Sequence, residues 1–252
     1  RLDVAYCLDP EFLRRLRCFT NTLKPDFFLV GEILGGDYNR ILGDSMLHSA
    51  TNYECYKGLY SSLNSLNLFE ITHSLLRQFG PENWTLYKGK HLFNFVDNHD
   101  VTRVASILQN PAHLPLIYAF CLPCRGFPVS TTAANGEREG EGQGDHALRP
   151  CFDAPEETNL TEWIGRCAAA HKGSKALCYG DFRSVLLQNK QVIFQRAFEG
   201  QRVLVAVNAG SDPYTAHFDA GAAAPEFATG EVHDFGSGSE LPPYSAFYWE
   251  IF

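Results

Sequence analysis

Residues 91–100 read HLFNFVDNHD, a short apolar run that gives way to four polar residues. The apolar part predicts a strand buried in a parallel sheet, where both faces are covered and apolar residues need not alternate with polar ones. Residues 27–32 read FFLVGE and repeat this design, with Glu32 after the apolar run. A third strand is predicted over residues 45–51. Polar residues that follow buried parallel strands stand where such folds keep their chemistry.

Helical patterns separate these strands. Apolar residues recur at helical spacing over residues 9–23, and Asp9 and Pro10 supply a cap and a first-turn proline. A long helical stretch is predicted over residues 56–76, and another helix over residues 101–108. This alternation of strand and helix predicts βαβ units and a parallel sheet.

The character of the sequence changes after a last helix, predicted over residues 163–171. Residues 137–145 before it, rich in Gly, Glu and Gln, indicate a loop. Short β-rich runs separated by turn residues then cover residues 185–187, 192–194, 203–207 and 246–249. They predict a small antiparallel β domain. We place the boundary so that residues 1–173 form the first domain and residues 174–252 the second.

Composition narrows the class of protein. The chain has 252 residues, is 45% hydrophobic and carries a formal net charge of -8. A chain of this length can bury a core, and its negative charge disfavours nucleic acid and anionic membranes as partners. No apolar run approaches the about 18 residues of a transmembrane helix. The start at Arg1 has neither an initiator methionine nor the shape of a signal peptide, so it resembles the middle of a gene. We expect a cytoplasmic protein.

The cysteines favour free thiols over a disulfide framework. There are eight of them, and most lie in apolar surroundings, as in a reducing compartment. Cys121 and Cys124 have the spacing of half a zinc site or of a redox pair. No second pair completes such a site in the sequence, so we predict no metal there.

Three carboxylates come at or just after the ends of predicted strands: Asp3, Glu32 and Asp100. The strand ends of a (β/α)8 barrel converge on one face, so these distant residues can meet. Glycosidic hydrolysis needs such a set, with one carboxylate as nucleophile and one carboxylic acid as proton donor. Each residue alone would more often be a helix cap or part of a solvated turn.

The sequences around these carboxylates resemble motifs of the α-amylase family, glycoside hydrolase family 13, and in particular its maltodextrin-hydrolase and neopullulanase-like members. RLDVA at residues 1–5, FLVGE at 28–32 and FVDNHD at 95–100 resemble the motifs that follow its fourth, fifth and seventh barrel strands. Their order and spacing match as well, and the resemblance continues through residues 148–150 and 177–183. It implies the C-terminal part of a (β/α)8 TIM barrel followed by a small antiparallel β-sandwich.

The resemblance also implies a role for each matched residue. Asp3 would be the nucleophile, Glu32 the acid and base, and Asp100 the group that favours the distorted sugar ring of the transition state. Arg1, His99 and Asn98 would bind substrate, with Arg1 also holding the Asp3 carboxylate. The implied reaction is retaining hydrolysis of α-1,4-linked glucans such as maltodextrins.

Several alternatives remain open at this point. Without the resemblance, His99 would be a packing histidine, Arg1 a solvated charge and Asn98 a turn residue. The aromatic residues Tyr53, Tyr56 and Trp84 could stack on sugar rings but more often pack beneath helices. No cofactor is expected, and any calcium ligands of the family would lie in barrel parts without a counterpart here. The oligomeric state is not predicted.

One segment departs from the family pattern. After its eighth strand the family usually reads close to MPGIPxIYYGSEWG, whereas residues 122–137 read LPCRGFPVSTTAANGE. Codons for residues 131–137 can be shifted by one base to encode YYGSEWG. We therefore expect a pair of compensating frameshifts, entering near Cys121 and leaving soon after Gly136. The nucleotide sequence tests this hypothesis directly.

The second departure from the family pattern is the length of the chain. A complete barrel needs eight strands and about 250 residues by itself, whereas the resemblance begins here at the fourth strand. We expect an incomplete barrel with exposed strand edges and apolar faces. The alternative function is an inactive remnant that binds glucans or nothing. An unrelated barrel enzyme would need a phosphate-binding loop or a Schiff-base lysine at a strand end, and the sequence shows neither.

Overall fold

The computed structural model describes residues 1–124, 158–219 and 238–251. Its first half contains short parallel strands in the order in which they occur along the chain. Strand β1 (Val30–Gly31) pairs in parallel with β2 (Ser49–Ala50), while single parallel bridges join Leu2 to Gly31 and Thr51 to Phe93. The backbone N–H of Glu32 donates to the Leu2 carbonyl at 2.8 Å, which ties the outer segment to β1. Two of the three expected parallel strands are present and shorter than predicted, whereas the apolar part of residues 91–100 forms only isolated bridges.

Helix α1 (Pro10–Leu23) follows the prediction closely. Asp9 caps it, with Oδ1 accepting from the N–H groups of Glu11 at 2.7 Å and Phe12 at 3.2 Å. Leu13 is fully buried, but an apolar stripe on the same helix is exposed. This stripe consists of Phe12, Phe19 and Leu23 and is called the α1 stripe below. Phe27 and Phe28, at the predicted start of the strand, are exposed as well, and β1 begins only at Val30.

The prediction of one long helix over residues 56–76 is wrong. The chain forms α2 (Tyr53–Ser65) and α3 (Phe69–Phe79), with Leu66 between them in the left-handed region at φ 50°. The Leu68 N–H donates to the Asn189 carbonyl at 2.9 Å. This contact with the second half of the chain holds the break in place.

The helices predicted over residues 101–108 and 163–171 are present but differ from the prediction in length. Helix α4 (Val104–Ile107) is short, because the buried Asp97 accepts the Val104 N–H at 3.0 Å and fixes the start of the helix there. Helices α5 (Leu114–Cys121), α6 (Asn159–Gly173) and α7 (Lys175–Tyr179) follow. Most of the segment suspected of a frameshift and the predicted loop at 137–145 lie outside the described residues. No described helix is both long and apolar enough to cross a membrane.

The second half of the chain is antiparallel, as expected. Its strands are β3 (Asp181–Leu187), β4 (Gln191–Phe198), β5 (Gln201–Asn208), β6 (Tyr214–Ala216), β7 (Ser239–Leu241) and β8 (Ser245–Ile251). Four of them form one sheet in the order β3-β4-β5-β8, and β6 pairs with β7 in a second sheet. An apolar cluster joins residues of both sheets, including Leu204, Leu241 and Trp249.

The main core runs without interruption from the first half into the second. One cluster of buried side chains extends from Ala5 and Leu13 to Val205 and Tyr248. The Tyr248 hydroxyl donates to the Ala119 carbonyl at 2.6 Å, so β8 is fastened to α5. The predicted boundary at residue 174 stays a prediction, and the two parts on either side of it share this core.

Candidate active site

The three predicted carboxylates come together around one guanidinium group. Arg1 Nη1 lies 2.7 Å from Asp3 Oδ1, and Arg1 Nη2 lies 2.8 Å from Glu32 Oε1 and 3.5 Å from Asp100 Oδ2. The parallel order of Leu2, β1, β2 and Phe93 produces this meeting, because it brings successive strand ends to one edge. Arg1 is therefore the centre of the cluster.

Glu32 is the most enclosed of the three carboxylates. It is 9% exposed, and its Oε2 accepts the backbone N–H of Val4 at 3.0 Å while Oε1 contacts Arg1. Val4 has φ 47°, an uncommon conformation for a β-branched residue. This backbone geometry accompanies the short 3₁₀ turn at residues 5–7 and aims the Val4 N–H at Glu32. The position of Glu32 is thus fixed from two directions.

Asp3 and Asp100 are more open to solvent. The Asp3 side chain is 72% exposed, with Arg1 beside it. Asp100 Oδ2 lies 2.9 Å from His99 Nε2, and His99 Nε2 is also 3.5 Å from Arg1 Nη1. Three carboxylates thus surround the Arg1 cation. One of them is buried, one is open to solvent, and one lies beside an imidazole.

Asn98 links this cluster to helix α2. Its Nδ2 donates to the Tyr53 hydroxyl oxygen at 3.1 Å, and its Oδ1 accepts the backbone N–H of Asp100 at 2.9 Å. Burial raises the pKa of the Tyr53 phenol above its ordinary value, the hydrogen bond from Asn98 opposes the rise, and the charges of Glu32 and Asp100 add to it. Tyr53 therefore lies within electrostatic reach of both carboxylates.

A buried amide network supports the strand ends and was not foreseen from the sequence. Asn52 Nδ2 donates to Gln78 Oε1 at 2.8 Å and to Asn94 Oδ1 at 2.7 Å. Asn52 Oδ1 also caps α2 by accepting the Cys55 N–H at 3.1 Å. The network joins the end of β2, helix α3 and the Phe93 segment. The one sequence signal for it was the pair Asn52-Tyr53 directly after a predicted strand.

The structure thus brings together Arg1, Asp3, Glu32, His99, Asn98 and Asp100, which are all of the predicted site residues. Of the candidate stacking aromatics, Tyr56 is buried and packs on Phe95 at a centroid distance of 5.2 Å, whereas Trp84 is exposed. No group of three metal-ligating side chains is found within the described ranges. All seven cysteines in those ranges are free, and Cys121 and Cys124 are both buried.

Comparisons with known proteins place this geometry in context. No family model matches the chain. A cyclomaltodextrinase of Geobacillus thermopakistaniensis is 24% identical over 227 residues, which cover 84% of this chain and 37% of that protein. A cyclomaltodextrin glucanotransferase of Niallia circulans is 30% identical over 115 residues, covering 45% of this chain and 16% of that protein. The chain thus spans little more than a third of the length of the cyclomaltodextrinase.

Solved structures share the fold. An α-amylase from Anoxybacillus superposes with a TM-score of 0.83 at 18% identity, covering 100% of this chain and 58% of the other. An α-amylase from Geobacillus thermoleovorans, solved with acarbose, gives a TM-score of 0.81 at 16% identity, covering 97% and 57% of the two chains. The predicted resemblance is confirmed.

Proposed function

Because this chain is related to the α-amylase family of glycoside hydrolases, we propose that Asp3, Glu32 and Asp100 carry out retaining hydrolysis of α-1,4-linked glucans. The observation that carries this proposal is the contact of one guanidinium, that of Arg1, with all three carboxylates at neighbouring strand ends. Carboxylates that merely cap helices or face solvent would have no reason to converge in this way.

Asp3 would act as the nucleophile. Its carboxylate is the most exposed of the three, so an anomeric carbon can approach it. The charge-assisted contact with Arg1 at 2.7 Å orients the carboxylate for attack. Attack would form a covalent glycosyl-enzyme and expel the leaving oxygen.

Glu32 would protonate that leaving oxygen and then take a proton from the attacking water. Arg1 donates to Oε1 and the Val4 N–H donates to Oε2, so a glycosidic oxygen that approaches Oε1 meets the Arg1 contact. We infer that Arg1 leaves Oε1 when the glycosidic oxygen arrives, while the Val4 N–H keeps the carboxyl group in place. Arg1 would then remain paired with Asp3.

Asp100 and His99 would bind sugar hydroxyl groups. Both side chains are partly exposed, so sugar hydroxyl groups can reach them. An anionic carboxylate near the anomeric centre also favours the positive charge that develops in the transition state.

The comparisons favour maltodextrins, linear or cyclic, as the substrate class. A sequence relative is named a cyclomaltodextrinase, and a structural neighbour was solved with acarbose. The carboxylate cluster is compatible with this class because a sugar is neutral and hydrogen-bonds to charged groups through its hydroxyls.

The test is release of reducing sugar from maltotriose, β-cyclomaltodextrin and soluble starch, with cellotriose as the β-linked control. The chain is assayed alone and within the full-length product of its reading frame, each as wild type and as Asp3→Asn. The proposal is supported if the wild type hydrolyses the α-linked sugars and Asp3→Asn does not. Binding of maltotriose without hydrolysis in every form would instead favour the non-catalytic glucan-binding alternative.

A further inference from the structure

We propose that Tyr53 is a positioning residue whose hydroxyl group, acting through Asn98, sets the place of Asp100 beside Glu32 and Arg1. This inference rests on the proposed function for its catalytic consequence, but its structural part can be tested separately. It assigns Tyr53 a role other than stacking on a sugar ring.

An unbroken chain of two hydrogen bonds joins Tyr53 to Asp100 through Asn98. Asn98 Nδ2 donates to Tyr53 Oη at 3.1 Å, and Asn98 Oδ1 accepts the Asp100 N–H at 2.9 Å. Both polar ends of the Asn98 side chain are engaged, so its orientation is determined. Without the Tyr53 hydroxyl, the amide would keep its bond to Asp100 but lose the partner that stops it from rotating.

Tyr53 itself is firmly held. Its ring packs edge-on with Phe95, at a centroid distance of 4.9 Å and an interplanar angle of 77°. It is the first residue of α2, directly after the buried cap Asn52, which is bonded to Gln78 and Asn94. The hydroxyl is therefore fixed to the scaffold, whereas Asp100 lies in an exposed turn.

The turn that carries Asp100 is open to solvent. The Asp100 carboxylate contacts His99 at 2.9 Å and Arg1 at 3.5 Å, and both of those partners are themselves partly exposed. Displacements of about 1 Å in a reacting group can cost on the order of 100-fold in rate. An anchor that is held by packing and joined to Asp100 through the Asn98 side chain is a means of preventing such displacement.

The test compares Tyr53→Phe with Tyr60→Phe. Both variants remove one phenol hydroxyl from α2 and keep the ring, but Tyr60 packs on Tyr56 and has no contact with Asn98. The first readout is the hydrogen-exchange rate of the Asp100 amide, measured by NMR on the full chain. Loss of one hydrogen bond predicts roughly 5-fold faster exchange in Tyr53→Phe and no change in Tyr60→Phe.

The second readout is the kinetics of maltotriose hydrolysis. We expect kcat to fall about 10-fold in Tyr53→Phe with KM nearly unchanged, since a displaced Asp100 affects the transition state more than binding. A stacking role for Tyr53 predicts no loss, because phenylalanine keeps the ring.

Each outcome decides something. Unchanged Asp100 exchange in Tyr53→Phe, or equal changes in both variants, overturns the inference, as does faster exchange with an unaltered kcat. If the Asp100 amide exchanges faster in Tyr53→Phe but no form of the protein hydrolyses any of the sugars, the anchoring of Asp100 is supported. The proposed hydrolysis is then contradicted instead. The two proposals therefore fail separately.

Discussion

At the residue scale, the two carboxylates Glu32 and Asp3 differ in exposure: Glu32 is enclosed and Asp3 is open to solvent. This difference fits the roles proposed for them. Glu32 is held by Arg1 and the Val4 N–H, while Asp3 faces solvent with Arg1 as its neighbour. A general acid has to stay close to the leaving oxygen, and a side chain held from two directions meets that need. A nucleophile, by contrast, has to be reachable.

Replacing Glu32 by glutamine should separate these roles. Glutamine keeps the size but cannot give a proton, so we expect maltotriose hydrolysis to fall by about 10²–10⁴-fold. Cleavage of 4-nitrophenyl α-maltoside should fall much less, because nitrophenolate leaves without protonation. The control is Glu11→Gln, an exposed glutamate on α1 that pairs with Arg15. Equal losses on both substrates would contradict the assignment of Glu32 as the acid.

The sequence predicted which charged residues meet, but not what holds them. Asp3, Glu32 and Asp100 were found because each ends a predicted strand within a recognisable motif. The support from Asn52, Gln78 and Asn94 was not found, since an amide pattern spread over three elements has no local signal. Tyr53 was noted only as a candidate for stacking or packing, because a hydrogen bond to its hydroxyl leaves no trace in the sequence.

At the element scale, the sequence predicts a helix boundary correctly when neighbouring residues determine it. It misses a boundary that depends on contacts with distant residues. Helix α1 begins at Pro10 as predicted because Asp9 caps it. The break between α2 and α3 was missed because a leucine, Leu66, takes the left-handed conformation that usually calls for glycine. The Leu68 contact with Asn189, which lies far along the chain, stabilises that break.

Helix α6 carries a histidine that should make the fold sensitive to acid. Burial lowers the pKa of His171 from its ordinary value to about 4, and Arg196 on β4 adds to the shift while a backbone hydrogen bond at Leu122 opposes it. His91 also lowers it. Because the unfolded chain takes up this proton at higher pH than the folded chain, stability is complete above about pH 6.5 and is lost as the pH falls toward 4.

The measurement is the free energy of unfolding by urea at pH 7, 5.5 and 4.5. The shift of His171 corresponds to a loss of up to roughly 3 kcal/mol across this window. His171→Gln should flatten the dependence, whereas His73→Gln, at an exposed position on α3, should leave it unchanged. The same slope in wild type and His171→Gln would show that other groups cause the acid sensitivity.

At the scale of the whole molecule, the shared core is the feature that sequence alone did not give. A change from helical to β-rich patterns marks residue 174, but composition does not say whether two parts pack together. The hydrogen bonds from the Tyr248 hydroxyl to the Ala119 carbonyl and from Arg196 Nη1 to the Pro123 carbonyl show that they do. Such contacts depend on pairs of residues far apart in the chain.

The α1 stripe should govern how the chain behaves at high concentration. Phe12, Phe19 and Leu23 are 48%, 60% and 70% exposed, and they form one face of the helix. Exposed apolar faces promote association. We expect concentration-dependent sedimentation, reduced in the double variant Phe19→Lys, Leu23→Glu and not in Trp84→Lys, which removes an exposed aromatic elsewhere. Sedimentation as a monomer at all concentrations would contradict this expectation.

The central claim is that Asp3 is the nucleophile of a retaining α-glucan hydrolase, and a trapped intermediate tests it most directly. The protein is incubated with a 5-fluoro-α-glucosyl fluoride, whose glycosyl-enzyme should hydrolyse slowly, and digested for tandem mass spectrometry. We predict one added fluoroglucosyl group on Asp3, absent from Asp3→Asn. A label on any other residue, or none in a protein that hydrolyses maltotriose, would contradict it.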